Sequence, residues 1–356
     1  MKKVGILTWH YYSNFGSALQ AYALQETLKD VDVCPQFINY RNPKYGTISP
    51  FRVLVRYMLG KILPQKFYSP YIFFQKDYFK ETKLTQNLEE AKKLCAEMDA
   101  VVCGSDQIWA PNAFNSLYMA DFEGDNTQRI SYAASVGLND IPDDKAEIYT
   151  KLLAKFSDIS VREDAGKELL REKCGADAKV VLDPTLLRDV SDYRKIEKKP
   201  FVMPEEKYVF CYFLNKDHSY RERVEKYAKE RGLTVCGISA RAADKEWMQL
   251  LPTIGPREFL YLISTADKVI TDSYHGTVFS LLYHKDFATL ERFSAEDPIC
   301  QNSRIYQLRD VYGLADRIYP AQKEIEDIPY DYEKFEQILA EKRQASIAFL
   351  KEALSC

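Results

Sequence analysis

The chain has 356 residues, of which 28% are charged and 46% hydrophobic, and its formal net charge is −3 at pH 7. This composition is typical of a soluble globular protein that is long enough for two ordinary domains and needs no disulfides to build a core. The near-balanced charge argues against a nucleic-acid partner, because nucleic-acid-binding domains usually carry a strong basic excess. No apolar run approaches the roughly 18–20 residues that a membrane-spanning helix needs.

The cysteines and the N-terminus indicate the compartment. The eight cysteines are scattered without CxxC spacing, and the chain has only four histidines, so neither a zinc site nor a disulfide framework is expected. Cys103 and Cys211 lie within apolar runs and are predicted to be core residues. The apolar stretch after Lys3 is too short for a secretory signal. We therefore expect a cytoplasmic protein without a bound metal.

Strands and helices are predicted to alternate along almost the whole chain. Short apolar runs predict strands at 4–9, 34–39, 100–103, 129–134, 159–161, 179–182, 208–214, 234–238, 268–271 and 286–290. Segments with helical spacing predict helices near 17–29, 87–97, 144–156, 163–173, 217–231, 256–265, 275–284 and 331–353. Buried strands with helical crossovers predict an α/β protein with two Rossmann-like domains, each with a mostly parallel sheet.

One charged stretch, 187–207, interrupts this alternation. It carries Pro200 and Pro204, a composition that suits an interdomain linker. The predicted organisation is an N-terminal domain over 1–190, a linker over 191–207, a C-terminal domain over 208–330 and a final helix over 331–356. Asp331 is the expected N-cap of that helix, which could pack on either domain.

Residues 51–63 have a regular helical stripe of apolar side chains at 51, 54, 55, 58, 59 and 62. Arg52, Arg56 and Lys61 lie off the stripe. We favour a helix that packs on the core through its apolar side. The alternative is a helix that lies on a membrane surface.

Ligands of open α/β sheets bind at the carboxyl ends of the strands, so polar residues that follow the predicted strands are candidate site residues. After the first strand, Asn14, Gly16 and Ser17 open a helix, whose free backbone N–H groups favour anions. An ordinary capped turn accounts for these three residues equally well.

A second group follows the third predicted strand. The small residues Gly104 and Ser105 would let the backbone approach a ligand. The next two residues, Asp106 and Gln107, could hold sugar hydroxyls or orient a base, and Asp106 is a candidate catalytic residue.

Arg162 ends the fifth predicted strand and directly precedes a helix. A guanidinium group in that position suits a carboxylate or a phosphate. An ion pair with Glu163 or Asp164 on the protein surface is almost equally plausible from the sequence.

The second predicted domain has the sharpest cluster. Its buried strand at 268–271 runs into Asp272-Ser273-Tyr274-His275-Gly276, which opens an apolar helix. The positive end of the helix dipole favours the neutral imidazole of His275, whereas a bound phosphate would favour the charged form. Opposed influences of this kind suit a general acid, and a purely structural histidine is the alternative.

Several other reaction classes lack their sequence signature. The chain has no GxGxxG dinucleotide fingerprint, no Walker lysine and no GxSxG nucleophile elbow.

Taken in order, these segments resemble the polysaccharide pyruvyl transferase family from the first strand to about Arg317. Residues 14–24, NFGSALQAYAL, resemble the family's N-x-G-x-x-L-Q-A-Y-A-L segment. Residues 102–109, VCGSDQIW, resemble G-S-D-Q-x-W, and residues 160–166, SVREDAG, resemble S-x-R-E-x-x-G. Residues 183–185 and 273–276 fit two later segments of the family.

The resemblance implies a GT-B-like arrangement of the two domains with an active site in the cleft between them. It implies transfer of the enolpyruvyl carbons of phosphoenolpyruvate onto two sugar hydroxyls, which gives a pyruvyl ketal and inorganic phosphate. Phosphoenolpyruvate is then a co-substrate, and no redox cofactor is needed. The acceptor would be a glycan of the cell surface or its lipid- or nucleotide-linked precursor, which implies a cytoplasmic enzyme with an optional contact to the inner face of the membrane.

The resemblance also suggests roles for individual residues. His275 would be the general acid or a phosphate contact, and Arg162 would clamp the anion. Many members have an arginine two residues before the histidine, where this chain has Ser273. Arg304 or Arg292 could supply the missing charge from a nearby loop. Two alternatives stay open, a nucleotide-sugar-dependent glycosyltransferase and a non-catalytic glycan- or anion-binding protein.

Overall fold

The computed structural model describes residues 1–46, 49–124, 126–215, 220–293, 301–320 and 323–355. The chain divides into two units. The first comprises Met1–Arg188 and Ala340–Cys356, and the second comprises Asp189–Leu339. The predicted end of the N-terminal domain, at residue 190, lies two residues beyond this division.

The first unit is built on a parallel sheet. Its strands are β1 (Lys3–Leu7), β2 (Cys34–Phe37), β3 (Ala100–Cys103) and β4 (Gln128–Ser131), in the order β2-β1-β3-β4. Single bridges from Ile130 to Asp158 and from Ala134 to Val161 continue the sheet towards two short paired strands, β5 (Ser160–Val161) and β6 (Lys179–Val180). The described helices of this unit are α1 (Phe15–Asp30), α2 (Pro50–Ile62), α3 (Pro64–Phe67), α4 (Pro70–Tyr78), α5 (Leu88–Ala96), α6 (Asp143–Leu153) and α7 (Asp164–Cys174).

Strand β3 is buried from both faces of the sheet, which lies at the centre of the first unit. Its four residues, AVVC, are all fully buried, as expected of a parallel strand covered on both faces. Val101 packs on one side in a cluster with Leu152 of α6. Val102 packs on the other side in a cluster with Leu24 of α1 and Phe349 of the last helix.

The second unit has a parallel sheet in the order β12-β11-β10-β7-β8-β9. These strands are β7 (Tyr208–Phe213), β8 (Thr234–Ser239), β9 (Gln249–Leu250), β10 (Lys268–Thr271), β11 (Phe287–Leu290) and β12 (Ile318–Tyr319). The described helices are α8 (Val190–Arg194), α9 (Arg221–Arg231), α10 (Pro256–Thr265), α11 (Tyr274–Leu282) and α12 (Ser303–Tyr312). Strands β7 and β10 are buried at every position and pair in register from Lys268 opposite Val209.

The last helix, α13 (Tyr332–Leu354), belongs to both units. The Lys334 backbone N–H donates to Asp331 Oδ1 at 2.9 Å, so the predicted cap is confirmed. Phe335, near the start of the helix, is buried in the second unit, and Leu350 is buried in the core of the first. The helix is therefore not a separate C-terminal element.

The ten predicted strands are all present, although several are shorter than predicted. The short strands β9 and β12 and the helices α3, α4, α8 and α12 were not predicted. The start of the helix predicted at 217–231 lies outside the described residues, and so does His218.

The linker prediction for 191–207 is wrong in its first part. This segment begins in helix α8, and Tyr193 has no exposed surface because its ring packs edge-on against Phe279 at 5.0 Å between centroids. Ile196 is also buried. Two apolar side chains among many charged ones are enough to attach the segment to the second unit.

The helix predicted at 51–63 is present as α2, but its expected packing is wrong. The apolar stripe is exposed, with Phe51 at 73% and Ile62 at 71%. The helix packs instead through the opposite side, where Gly60 lies so close to Phe73 that a Cβ would be 2.7 Å from the ring.

Cys103 and Cys211 have no exposed surface, which confirms them as core residues. Cys300 and Cys356 lie outside the described residues. Among the helices described, none combines the length and the apolar character required to cross a membrane.

Candidate functional site

The turn between β1 and α1 is a well-formed helix cap. Asn14 Oδ1 accepts a hydrogen bond from the Ser17 backbone N–H at 3.0 Å, and Asn14 itself is partly exposed. Ser17 is buried, and its hydroxyl donates to Asp106 Oδ2. Gly16 is buried in the first turn of α1. The turn therefore connects α1 to the segment that follows β3, and it leaves Asn14 accessible to a ligand.

The segment after β3 makes a sharp turn. The Gly104–Ser105 peptide bond is cis, and Gly104 has a φ of +132°. A Cβ at Gly104 would lie 2.0 Å from the Tyr132 carbonyl oxygen, so only glycine fits there. Asp106 also has a positive φ, and its Oδ1 accepts the Gln107 backbone N–H at 2.8 Å. One oxygen of this carboxylate therefore has a donor within the turn, and the other has its donor in Ser17 of α1.

Ser105 does not fit its predicted role as a substrate contact, because it has no exposed surface. Its backbone N–H donates to Gln20 Oε1 at 3.2 Å, and its hydroxyl donates to the Ala133 carbonyl at 2.8 Å. Gln20 also donates to Thr8 Oγ1 at 3.0 Å, and Thr8 in turn donates to the Ser105 carbonyl at 2.8 Å. Ser105 is part of the buried scaffold of the turn.

The predicted anion clamp Arg162 also needs correction. Its side chain is 2% exposed, and Nη1 donates to Asp183 Oδ2 at 2.8 Å. Nε lies 3.6 Å from Glu163 Oε2, and Glu163 is equally buried. Arg162 therefore forms a buried ion pair with Asp183 as the main partner, and not the surface pair with Glu163 or Asp164 that was the alternative. Asp183 is a further 21 residues along the chain, so sequence proximity did not reveal it.

The guanidinium of Arg162 lies between these two carboxylates. Asp183 also accepts from Thr185, whose backbone N–H and hydroxyl lie 3.0 and 2.6 Å from Oδ1. Ser135 Oγ donates to Glu163 Oε1 at 2.8 Å. A network with this many internal partners stabilises the strand ends of the first unit.

A partly exposed aromatic cluster at the end of β1 was missed by the sequence analysis. The rings of Trp9 and Tyr12 meet edge-on at 5.7 Å, and those of Tyr11 and Tyr12 lie 4.4 Å apart. The guanidinium of Arg41 is 5.4 Å from the Tyr11 ring centroid. The available signal was three aromatic residues within four positions directly after a predicted strand.

His10, between these aromatic residues, is buried and faces a carboxylate. Its Nδ1 lies 3.1 Å from the Thr8 carbonyl, and its Nε2 lies 3.4 Å from Glu81 Oε1. Burial alone would raise the pKa of Glu81, but interactions with His10, Lys76 and Arg41 lower it below its usual value.

In the second unit, the turn between β10 and α11 is fixed by short side chains. Ser273 is the N-cap of α11, and its Oγ accepts the Gly276 backbone N–H at 3.4 Å. Thr271 Oγ1 accepts from the Ser273 backbone N–H at 3.1 Å. A Cβ at Gly276 would lie 2.4 Å from Thr271 Oγ1, so this glycine lets α11 approach the strand end closely. Gly276 therefore has a packing role that is independent of any ligand.

His275 lies in the first turn of α11, as predicted. It is 7% exposed, and its ring meets Tyr274 edge-on at 5.1 Å. The free backbone N–H groups of this first turn give the region a positive potential.

Two arginines are held beside this helix start. Arg292 Nη2 and Arg304 Nη2 each donate to Gln301 Oε1 at 3.2 Å. The Arg304 guanidinium lies 6.0 Å from the Tyr274 ring centroid, and Arg304 is 9% exposed. The amide oxygen of Gln301 thus accepts from two guanidinium groups, which adds to the positive potential near the start of α11.

Asp272 is the carboxylate closest in sequence to this cluster. Its two oxygens accept the backbone N–H groups of Leu214 and Asn215, each at 2.7 Å. Burial raises the pKa of Asp272, opposed by these hydrogen bonds and by the charge of Arg292. Asp272 therefore connects the ends of β10 and β7, and both of its oxygens are already engaged.

The structure thus brings Ser273, Tyr274, His275 and Gly276 together with Arg304 in the second unit. In the first unit it brings Asn14, Gly16, Ser17, Gly104, Ser105, Asp106 and Gln107 together at one sheet edge, with Arg162 in the adjoining ion-pair network. Among the residues that the structure describes, no group of three or more His, Cys, Asp or Glu could hold a metal ion.

Comparison with solved structures supports the fold class. The chain is similar to UDP-GlcNAc 2-epimerase from Methanocaldococcus jannaschii, with a TM-score of 0.55 and 14% identity over 96% of this chain and 92% of that one. It is also similar to the 2-epimerases from Rickettsia bellii (TM-score 0.51, 11% identity, 100% and 96% coverage) and Neisseria meningitidis (0.51, 10%, 99% and 94%). These likenesses confirm an α/β fold of GT-B type.

The family follows from a sequence profile. The profile described as polysaccharide pyruvyl transferase matches residues 14–292. The chain therefore belongs to the polysaccharide pyruvyl transferase family, a family of transferases, and the predicted resemblance is confirmed. No curated protein matches the chain significantly.

Proposed function

We propose that this protein transfers the pyruvyl group of phosphoenolpyruvate to two hydroxyls of a sugar in a surface polysaccharide or its precursor. The products are a pyruvyl ketal and inorganic phosphate. The observation that carries the proposal is the pair of guanidinium groups, Arg292 and Arg304, that share Gln301 beside the start of α11. Two guanidinium groups held close together suit an anion such as phosphoenolpyruvate, whose phosphate and carboxylate both accept charge-assisted hydrogen bonds.

Arg292 and Arg304 take the place of the family arginine that Ser273 replaces. Their guanidinium groups and the backbone N–H groups of the first turn of α11 bind the phosphate and the carboxylate of the donor. His275 is the general acid that delivers a proton to the methylene carbon of the enol.

The chemistry then balances without a redox cofactor. Protonation of the methylene carbon leaves a cationic centre at the neighbouring carbon, and a sugar oxygen attacks it and loses its proton. The phosphate leaves, which regenerates a cationic centre at that carbon, and the second sugar oxygen attacks it and loses its proton to close the ketal. Of the two protons released by the sugar hydroxyls, one restores the acid form of His275 and the other passes to the solvent. Phosphoenolpyruvate is the only co-substrate in this scheme.

In the first unit, the accessible groups suit a sugar acceptor. Asn14 and Gln107 are partly exposed amides that follow strands β1 and β3, and Trp9 and Tyr12, which precede Asn14 in the chain, are partly exposed aromatic residues. Aromatic surfaces with a few polar groups are common in sites for small ligands. Asp106, proposed from the sequence as catalytic, is better described as a positioning residue, since Ser17 and Gln107 occupy its oxygens.

The experiment measures phosphate release from phosphoenolpyruvate in the presence of candidate sugars and sugar precursors. We expect release that depends on both substrates and is lost in His275→Gln. The matched control is His284→Gln in the same unit, because His284 is exposed and pairs with Glu336 at 2.8 Å. Equal turnover in His275→Gln and in the control would contradict the role of His275.

Binding separates this proposal from its two alternatives. Thermal stabilisation by phosphoenolpyruvate supports it, because a ligand that binds only the folded state raises the unfolding temperature. Stabilisation by a nucleotide sugar alone would favour a glycosyltransferase. Stabilisation by anions or glycans without turnover on any acceptor would favour a binding protein.

We also propose that the protein acts in the cytoplasm, where phosphoenolpyruvate is made.

A further inference from the structure

Helix α2 exposes an unusual amount of apolar surface. Six of the ten large hydrophobic residues that are exposed in the described part of the chain lie in α2 or directly after it. They are Phe51 (73% exposed), Leu54 (52%), Val55 (38%), Met58 (52%), Ile62 (71%) and Leu63 (53%). Exposed apolar residues that cluster in this way mark an interaction surface.

The exposed residues of α2 form one face, which we call the α2 apolar face (Phe51, Leu54, Val55, Met58 and Ile62). At 3.6 residues per turn, these five positions fall within an arc of about 100°. Such an arc is the geometry of a helix that lies on an apolar phase with its axis in the interface plane.

The opposite side of α2 is held firmly, so the exposure of this face is a property of the packed helix. Tyr57 packs on Phe73 with ring centroids 4.8 Å apart, and its hydroxyl donates to Asp77 Oδ1 at 2.5 Å. Gly60 gives close access to the same Phe73 ring. The helix also begins at a regular cap, since Ser49 Oγ accepts the Arg52 backbone N–H at 3.3 Å.

The charges around the α2 apolar face all have one sign. Arg52 and Arg56 flank the arc on one side and Lys61 flanks it on the other. The Lys61 ammonium lies 4.4 Å from the Tyr57 ring centroid. Residues 33–76 contain seven lysines and arginines and no aspartate or glutamate, in a chain whose overall charge is −3. This segment is therefore an isolated basic region of an otherwise slightly acidic protein.

We propose that the α2 apolar face is a docking surface for an anionic lipid bilayer. The apolar side chains enter the boundary between headgroups and acyl chains, and Arg52, Arg56 and Lys61 lie among the anionic headgroups. Charge favours a bilayer over a second copy of this chain. Two copies that met through this face would bring their flanking basic residues together without an acidic residue to offset them.

The position of α2 gives this surface a use, and this step rests on the proposed function. Helix α4 packs against α2 through Phe73, and its Tyr71 ring stacks on Phe15, the first residue of α1, at 5.7 Å. Only one helix therefore separates the docking surface from the turn that contains Asn14. A lipid-linked sugar in the bilayer would be presented close to this turn.

The test is flotation of the full chain with phosphatidylglycerol vesicles and with pure phosphatidylcholine vesicles. We expect binding to the anionic vesicles and at least tenfold weaker binding to the neutral ones. The double variant Met58→Glu/Ile62→Glu should lose binding, since it places two charges in the inserted face. The matched control is Phe201→Glu/Val202→Glu in the second unit, which alters two exposed apolar residues elsewhere and should bind as the wild type does.

A second pair of variants tests the charges. Arg52→Gln and Arg56→Gln should each weaken binding to anionic vesicles by about fivefold. Thermal unfolding of every variant is the folding control, because all the altered side chains are exposed.

Three results would overturn the proposal: no flotation of the wild type with anionic vesicles, equal flotation of Met58→Glu/Ile62→Glu, or a concentration-dependent dimer that this variant abolishes without any vesicle binding. The assay uses no donor or acceptor, so a failure here is distinguishable from a failure of the proposed transfer reaction.

Discussion

Each of the two units has arginines near the ends of its strands, but the partners of these arginines differ. In the first unit the buried guanidinium of Arg162 faces two carboxylates, Asp183 and Glu163, which provide its counter-charge. In the second unit the guanidinium groups of Arg292 and Arg304 converge on the neutral amide of Gln301. The guanidinium in the first unit is thus engaged by carboxylates of its own unit, whereas we propose that the pair in the second unit binds an anionic ligand. Whether an arginine near the strand ends has a structural or a ligand-binding role therefore depends on the groups that its guanidinium contacts.

The largest expected effect comes from breaking the ion pair of Arg162. Arg162→Met leaves two buried carboxylates without their cation and should lower the free energy of unfolding by about 3–5 kcal/mol. The measurement is urea denaturation at neutral pH. Arg171→Met is the control, since that arginine forms an exposed pair with Glu168 and should change stability by less than about 1 kcal/mol. Equal effects of the two substitutions would mean that Arg162 is not a structural charge.

The opposite result is expected in the second unit. Arg304→Met removes a hydrogen bond to the neutral amide of Gln301 and keeps an unbranched side chain, so the free energy of unfolding should fall by about 1 kcal/mol, much less than in Arg162→Met. The affinity for phosphoenolpyruvate should fall at least about tenfold, as expected for the loss of a charge-assisted hydrogen bond. Arg309→Met, on the same helix, is the control, because Arg309 pairs with its neighbour Asp310. Calorimetric titration and urea denaturation of both variants give the two quantities.

The interactions of Glu81 with basic residues should make the stability of the first unit depend on pH. The folded state lowers the pKa of this carboxyl, so its charge stabilises the fold above the ordinary glutamate pKa of about 4.3. That contribution is lost as the pH falls through the lowered pKa of the folded state. The stability difference between the wild type and Glu81→Gln should therefore be largest at neutral pH and shrink below about pH 4. Urea midpoints measured across this range test it, and a difference that is independent of pH would contradict it.

The smallest effect is expected at the cap of α11. Ser273→Ala removes the acceptor for the Gly276 backbone N–H, a long hydrogen bond of 3.4 Å, and should cost about 0.5–1 kcal/mol. Thermal unfolding measures this cost. A larger loss of turnover than of stability would mean that Ser273 also contacts the donor.

The sequence predicted those structural features that depend on a single strand or helix. Continuous apolar runs such as AVVC at β3 and KVIT at β10 predicted buried parallel strands, and both are fully buried. The rule that ligands bind at the carboxyl ends of the strands identified the candidate site residues in both units. The two-residue strands β9 and β12 carry too few residues for any periodicity, and no pattern could reveal them.

Partners that are distant in the chain could not be predicted. Asp183 lies 21 residues from Arg162, and Gln20 lies 85 residues from Ser105, so the burial of Arg162 and Ser105 depends on the folded arrangement. The apolar stripe on α2 was predicted from the spacing of its residues. Spacing alone does not show whether the stripe packs on the core or is exposed. Helix α2 packs through Tyr57 and Gly60, so the apolar stripe is exposed and not packed on the core as expected.

The central claim is that the cluster beside α11 binds phosphoenolpyruvate. Calorimetric titration of phosphoenolpyruvate into the wild type, Arg292→Met, Arg304→Met and Arg309→Met tests it most directly. We expect saturable binding to the wild type and to Arg309→Met, and at least tenfold weaker binding to the other two. Undiminished affinity in both Arg292→Met and Arg304→Met would contradict the claim.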